Sequence, residues 1–181
     1  MRIWLSGAFS TWKTTVMKWI KAKWHKKINE VARWILTERN IRPQDISKKD
    51  FNLFEQEIIE KQIWLESEQK DFVVDTTLFD ALAYSEDTEN HIENLKTVMA
   101  HFRKHIYDIV FLCMSEFDVK DDWIRHIDKD FQTKIEIRIM DIIMKTKHIY
   151  PEMKVIPLYW TPEERIESSN RNIWIYTRFK T

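Results

Sequence analysis

Near the N-terminus a short strand-like run, Arg2 to Leu5, leads into Gly7-Ala8-Phe9-Ser10-Thr11-Trp12-Lys13-Thr14. A helical stretch follows to about Lys23. No other feature limits the fold as much. A buried strand that passes through a glycine-led turn straight into a helix is the first half of a βαβ unit. The rest of the chain keeps that rhythm. Lys27 to Val31 reads as a second strand. Pro43 to Ser47 is a connection, with Ser47 or Asp50 as N-cap of a helix over Phe51 to Glu68. Asp71 to Asp75 reads as a third strand, buried on both faces. Helices over Leu78 to Glu86 and Glu89 to Lys104 come next, then a fourth strand from Tyr107 to Met114. A charged segment, Ser115 to Asp130, precedes a helix from Phe131 to about His148. Lys154 to Leu158 is a fifth strand, and Thr161-Pro162 opens the last helix as N-cap and first helical residue. Short apolar strands alternating with helices imply an α/β fold, a doubly wound parallel sheet covered on both faces. Ligands then bind beyond the C-terminal ends of the strands. The 181 residues suffice for one domain with a real core.

The turn has a specific chemistry. G-x-x-x-x-G-K-[ST] is met at Gly7, Lys13 and Thr14 and missed at Trp12. In that pattern successive backbone N–H groups wrap phosphates, the lysine pairs with the β- and γ-phosphates, and the hydroxyl ligates Mg²⁺. The loop Gly7 to Thr15 is therefore the candidate phosphate-binding site, with Thr14 and Asp75 as candidates for holding Mg²⁺. Asp75 ends a buried strand on the side that faces the crevice. Two roles fit it: an acceptor base or metal partner, or the cap of the next helix. Asp108 opens the fourth strand, at the wrong end.

The segment Leu5 to Thr15 resembles the start of the NadR-type AAA domains, which include ribosylnicotinamide-kinase-like ATPases. Glu30-Val31-Ala32-Arg33 is similar to the family's E-x-A-R stretch. Phe72 to Asp75, followed by Thr76, Thr77 and Asp80, resembles its strand ending in aspartate. Asp121-Asp122-Trp123-Ile124-Arg125 resembles D-D-G-x-R before a lid helix, and Leu158 to Arg165 resembles the last strand and its turn. The resemblance implies a three-layer P-loop NTPase fold with five strands in the order 2-3-1-4-5. It implies ATP and Mg²⁺ as cofactors and phosphoryl transfer to a nucleoside- or nucleotide-like small molecule. It makes Arg125, on a lid of about 115–130, a candidate for stabilising the transferring phosphate, with Arg138 as a second choice. A solvated charge cluster fits Arg125 equally well. Glu30 and Arg33 are acceptor contacts or plain surface residues. A regulatory nucleotide switch, or a non-catalytic relative if Trp12 is genuine, are the other functions the motifs allow.

Lys plus Arg equals Asp plus Glu, at 29 each, so net charge favours neither nucleic acid nor anionic membrane as a partner. The lone Cys113 reads as an inert core thiol, and the chain as cytoplasmic. His101 and His105 stand four apart on a helix and read as a solvated face. Composition departs from the ordinary in one respect. There are one glycine and nine tryptophans, where usage of about 7% gives roughly 13 glycines. Trp stands where the resembled family has glycine at positions 12, 123 and 160, and Trp24 falls at a helix C-cap. One account is that these positions are UGA codons, read as glycine in some bacterial lineages and written as tryptophan under another code. A genuinely Trp-rich chain, with Trp19 and Trp34 as helical core residues, is the competing account.

Overall fold

The computed structural model describes residues 1–20, 25–115 and 128–179. Five strands form one sheet: β1 (Arg2–Ser6), β2 (Lys26–Ile28), β3 (Phe72–Asp75), β4 (Ile109–Cys113) and β5 (Lys154–Leu158). Every pairing is parallel, and the order is β2-β3-β1-β4-β5, as the resemblance implied. Residues of β1 alternate between two cores. Ile3 and Leu5 meet α1 (Lys13–Trp19) and α7 (Pro162–Phe179) through Val16, Met17, Ile173 and Tyr176. Trp4 faces the larger core, built with α2 (Val31–Arg39), α3 (Lys48–Ser67), α4 (Leu78–Ser85), α5 (His91–His105) and α6 (Lys129–Ile149). Helices on both faces explain why β3 and β4 are buried at every position and almost wholly apolar, Asp75 at the end of β3 being the exception. No helix is long and apolar enough to cross a membrane among the described residues.

Local signals set most boundaries. Ser47 caps α3 by accepting from the Asp50 N–H, and Thr161 caps α7 by accepting from the Glu164 N–H. Most boundaries shift by a few residues, and two shifts change how a segment is assigned. The second strand is Lys26–Ile28, and Val31 instead starts α2, whose buried Val31, Ile35 and Leu36 recur at helical spacing. Tertiary packing of that stripe overrides the strand preference of a β-branched residue. The first helix ends at Trp19, with Ile20 extended at its C-cap. Trp24 lies outside the described residues.

Side-chain burial also corrects three expectations. His101 is buried, not solvated, with Nε2 3.3 Å from Glu66 Oε2, because α5 turns it toward α3. Trp19 and Trp34 are 65% and 48% exposed, so neither is a core residue. Cys113 is fully buried, and burial pushes its thiol up to about 12, as suits an inert core position.

Glu55, on α3, is a buried carboxyl that burial raises from 4.5 to about 8. Between those values the folded protein keeps a proton that the unfolded chain has lost. Stability therefore falls as pH rises from about 4.5 to about 8. Glu55→Gln is expected to flatten that decline, read as urea midpoints at several pH values. An unchanged slope refutes it.

Candidate active site

Strand β1 ends at Ser6, and the chain then has to turn under its neighbours. Gly7 has φ +146°, and a β-carbon there would run into the Cys113 carbonyl oxygen of the adjacent strand. This is a position that only glycine fills. The turn is fixed from beneath. The Asp80 carboxylate, on α4, accepts from Ser6 Oγ (2.7 Å), the Gly7 N–H (3.0 Å) and the Thr77 N–H (2.7 Å). Thr77 in turn accepts from the Phe79 and Asp80 N–H groups, closing a capping box with Asp80. The cap of α4 is thus Thr77, not Asp75.

Lys13 begins α1. Its Nζ donates to the carbonyls of Gly7 (2.6 Å) and Ala8 (2.8 Å), so the ammonium sits inside the loop. Thr11 Oγ1 donates to the Ala8 carbonyl at 2.8 Å. Thr14 Oγ1 donates to Asp75 Oδ2, which brings the end of β3 onto the start of α1. Asp75 Oδ1 and Thr76 Oγ1 are buried with no hydrogen-bond partner. Thr76 is also held at φ +76°, a strained setting for a β-branched residue and one that clusters at functional sites. These orphaned oxygens beside a threonine hydroxyl fit Mg²⁺, which binds proteins through one or two oxygens and keeps water and phosphate for the rest.

The family model for an AAA domain matches residues 2–156. The chain belongs to this AAA-domain family. Among solved structures the AAA domain is similar to NadR in complex with NR, at TM-score 0.72 and 18% identity over 98% of this chain and 51% of that one. It is similar to deoxyadenosine kinase from M. mycoides, at TM-score 0.66 and 11% identity over 97% and 100%. It is also similar to shikimate kinase from Aquifex aeolicus, at 0.56 and 17% over 98% and 96%. At these identities the likeness is one of fold. The chain spans about half the length of the NadR structures it matches. Sequence comparison with curated proteins gives no match.

The electrostatics of the AAA domain centre on Asp75. Burial raises its carboxyl to about 6, opposed by the Lys13 charge and assisted by Glu30. The Glu30 contribution fits its place at the N-cap of α2, just past β2 and beside β3. Arg33 forms an ion pair with Glu30 at 3.4 Å. Arg138 is held on α6 by Glu86 and Asp87 and by the Ala83 carbonyl. Arg125 and Trp123 lie outside the described residues, as does most of the expected lid.

Two further anchors of the loop escaped the sequence reading as site residues. Gln132, on α6, donates Nε2 to the Phe9 carbonyl at 2.7 Å. Arg165, on α7 and fully buried, donates to the carbonyls of Thr11 (2.9 Å), Met114 (2.9 Å) and Trp160 (3.0 Å). Asp80, Gln132 and Arg165 come from three helices and hold the start, middle and end of one loop. Asp80 and Arg165 carried a signal only through their place in the family's motifs, and Gln132 carried none.

Proposed function

We propose that this AAA domain is an ATP-dependent kinase that moves a γ-phosphoryl group to a nucleoside- or nucleotide-like acceptor. The observation that carries the reading is the meeting of Lys13, Thr14 and Asp75 at the C-terminal ends of β1 and β3. A cation at the head of a helix, a hydroxyl, and a half-satisfied carboxylate come together where β1 and β3 end. Kinases among the structural neighbours support it. The backbone from Gly7 to Thr15 wraps the phosphates. Lys13 exchanges the Gly7 and Ala8 carbonyls for β- and γ-phosphate oxygens, turning two internal bonds into charge-assisted ones. Thr14 would hold Mg²⁺ through its hydroxyl oxygen, with Asp75 behind it as the acceptor of the hydroxyl proton, and the ion would neutralise phosphate charge. Asp75 accepts the proton of the acceptor hydroxyl as it attacks, and Glu30 and Arg33 line the acceptor side. Arg125 is assigned to the phosphate that transfers. Positioning and charge stabilisation do the work, since the reaction asks little covalent chemistry of the protein.

The test is a thermal-shift and ADP-release screen with ATP, GTP and a nucleoside panel, run on this chain and on Trp12→Gly. A kinase responds to nucleotide and then to one acceptor class. A nucleotide switch responds to nucleotide alone, and a non-catalytic relative to neither. Turnover should also depend on pH through Asp75. The carboxylate is the active form, so kcat/KM falls as pH drops through about 6. Stability moves the other way, because burial favours the neutral acid: it falls as pH rises from 3.8 to about 6. A kcat/KM flat from pH 5 to 8 would exclude Asp75 as base.

A further inference from the structure

Three tryptophans sit where the fold has no place for one, each in a different way. Trp12 precedes Lys13 with φ 65° and ψ 15°, the left-handed region, at the point where the loop must approach phosphate. A β-carbon there collides with its own backbone, and bulky residues adopt this conformation only under strain. Trp160 stands in the same region, φ 66°, at the turn between β5 and α7, with its ring 67% exposed. Its carbonyl is what Arg165 Nε grips, so the turn serves the backbone and makes no use of the indole as a core group. Trp4 is different. It is a fully buried residue in the middle of β1, and its indole and the Tyr107 ring claim the same volume. Phe72, Phe79 and Phe102 close the remaining sides, and the indole N–H is buried with no acceptor. Phe79, Phe102 and Tyr107 already pack on one another at 5.1–5.5 Å between ring centroids. That space is filled by three rings before a fourth arrives.

The remaining described tryptophans fit the same picture. Trp19, Trp34, Trp64 and Trp174 are 48–65% exposed, whereas tryptophan is on average a well-buried residue. The cation–π contacts of Lys61 with Trp34 and Trp64 are surface contacts and ask for no indole in the core.

We propose that positions 4, 12 and 160 are glycines in the protein as its source makes it, their UGA codons being translated as glycine. The glycine at 12 completes G-x-x-x-x-G-K-T and lets the loop close on phosphate. The last statement rests on the phosphate-binding function proposed above; the assignment of the residues does not. Glycine removes each problem by its own route. It tolerates the left-handed backbone at 12 and 160, clears the indole from the phosphate path at 12, and leaves the β1 core to Tyr107 and its neighbours.

The experiment has two independent readouts. Protein isolated from its source cells is digested with trypsin, and the masses of peptides 3–13 and 155–165 are measured. These peptides carry positions 4, 12 and 160. Glycine masses at all three are expected. A tryptophan mass at any of them, or a UGG codon in the gene, overturns the assignment there. Separately, Mg-ATP binding is compared by calorimetry between the chain as written and Trp12→Gly, and affinity should rise about tenfold or more. Glycine masses with no ATP binding by Trp12→Gly would keep the assignment and reject the loop's role. Trp4→Gly checks the core on its own. A large-to-small change in a core ordinarily destabilises; here the melting temperature should rise, and a fall would show that the β1 core has room for the indole.

Discussion

Asp75→Asn is expected to lower phosphoryl transfer by about 10²- to 10⁴-fold while leaving nucleotide affinity nearly unchanged. Asparagine keeps the size of the side chain and an amide oxygen that still accepts from Thr14. What it loses is the proton-accepting carboxylate, which is needed when the acceptor hydroxyl attacks and hardly at all for holding ATP in the ground state. The acid limb of the pH profile near 6 should vanish in the variant, because the group that titrates there is gone. The measurements are kcat by ADP release and Kd for Mg-ATP by calorimetry, both in Trp12→Gly protein. Wild-type turnover in Asp75→Asn would remove Asp75 from the chemistry. An equal loss in binding and turnover would make it a structural support of the loop.

Arg165→Ala is expected to destabilise the fold by about 3–5 kcal/mol. The guanidinium is fully buried and satisfies carbonyls at three separate places: the loop at Thr11, the end of β4 at Met114, and the β5–α7 turn at Trp160. Alanine leaves all three without that donor and opens a cavity under the loop. Each carbonyl left unsatisfied costs about 1–3 kcal/mol, and the three need not add. Arg165→Lys keeps a charge but cannot fork to three acceptors in different directions, so it should recover only part of the loss. Urea unfolding of the three proteins decides it. A loss under about 1 kcal/mol would mean that water or another donor takes over the carbonyls.

The two substitutions differ in how far the sequence foretold them. Asp75 was legible because a short apolar run that ends in a carboxylate has its direction set by the alternation of strands and helices. Arg165 entered only through its place in a motif, because its role is to touch backbone 154 residues away. Asp80 is similar, bonded to Gly7 across 73 residues, and Gln132 reaches Phe9 across 123. Nothing in local periodicity marks a polar residue on a buried helix face as the anchor of a distant loop. The same limit explains His101. Its spacing from His105 is a helical one, but which face of α5 is covered depends on where α3 comes to lie.

The sequence by itself determined the strand–loop–helix turn with Gly7, Lys13 and Thr14, the parallel α/β class, and the cap at Thr161; it narrowed the α3 cap to Ser47 or Asp50, and the structure chose Ser47. Each of these is written in residues a few positions apart, where backbone sterics, side-chain period and capping hydrogen bonds act directly. It also displayed the excess of tryptophan over glycine. The tertiary structure alone decided where β2 gives way to α2 and that Thr77, not Asp75, caps α4. It alone brought Asp80, Gln132 and Arg165 onto one loop, and it alone raised Asp75 toward neutrality. Those outcomes depend on what each group is buried against, and burial is a property of the packed chain. The tryptophans needed both. Counting revealed how scarce glycine is beside tryptophan, and the left-handed backbone at 12 and 160, with the crowded core at 4, supports the proposal that glycine belongs there.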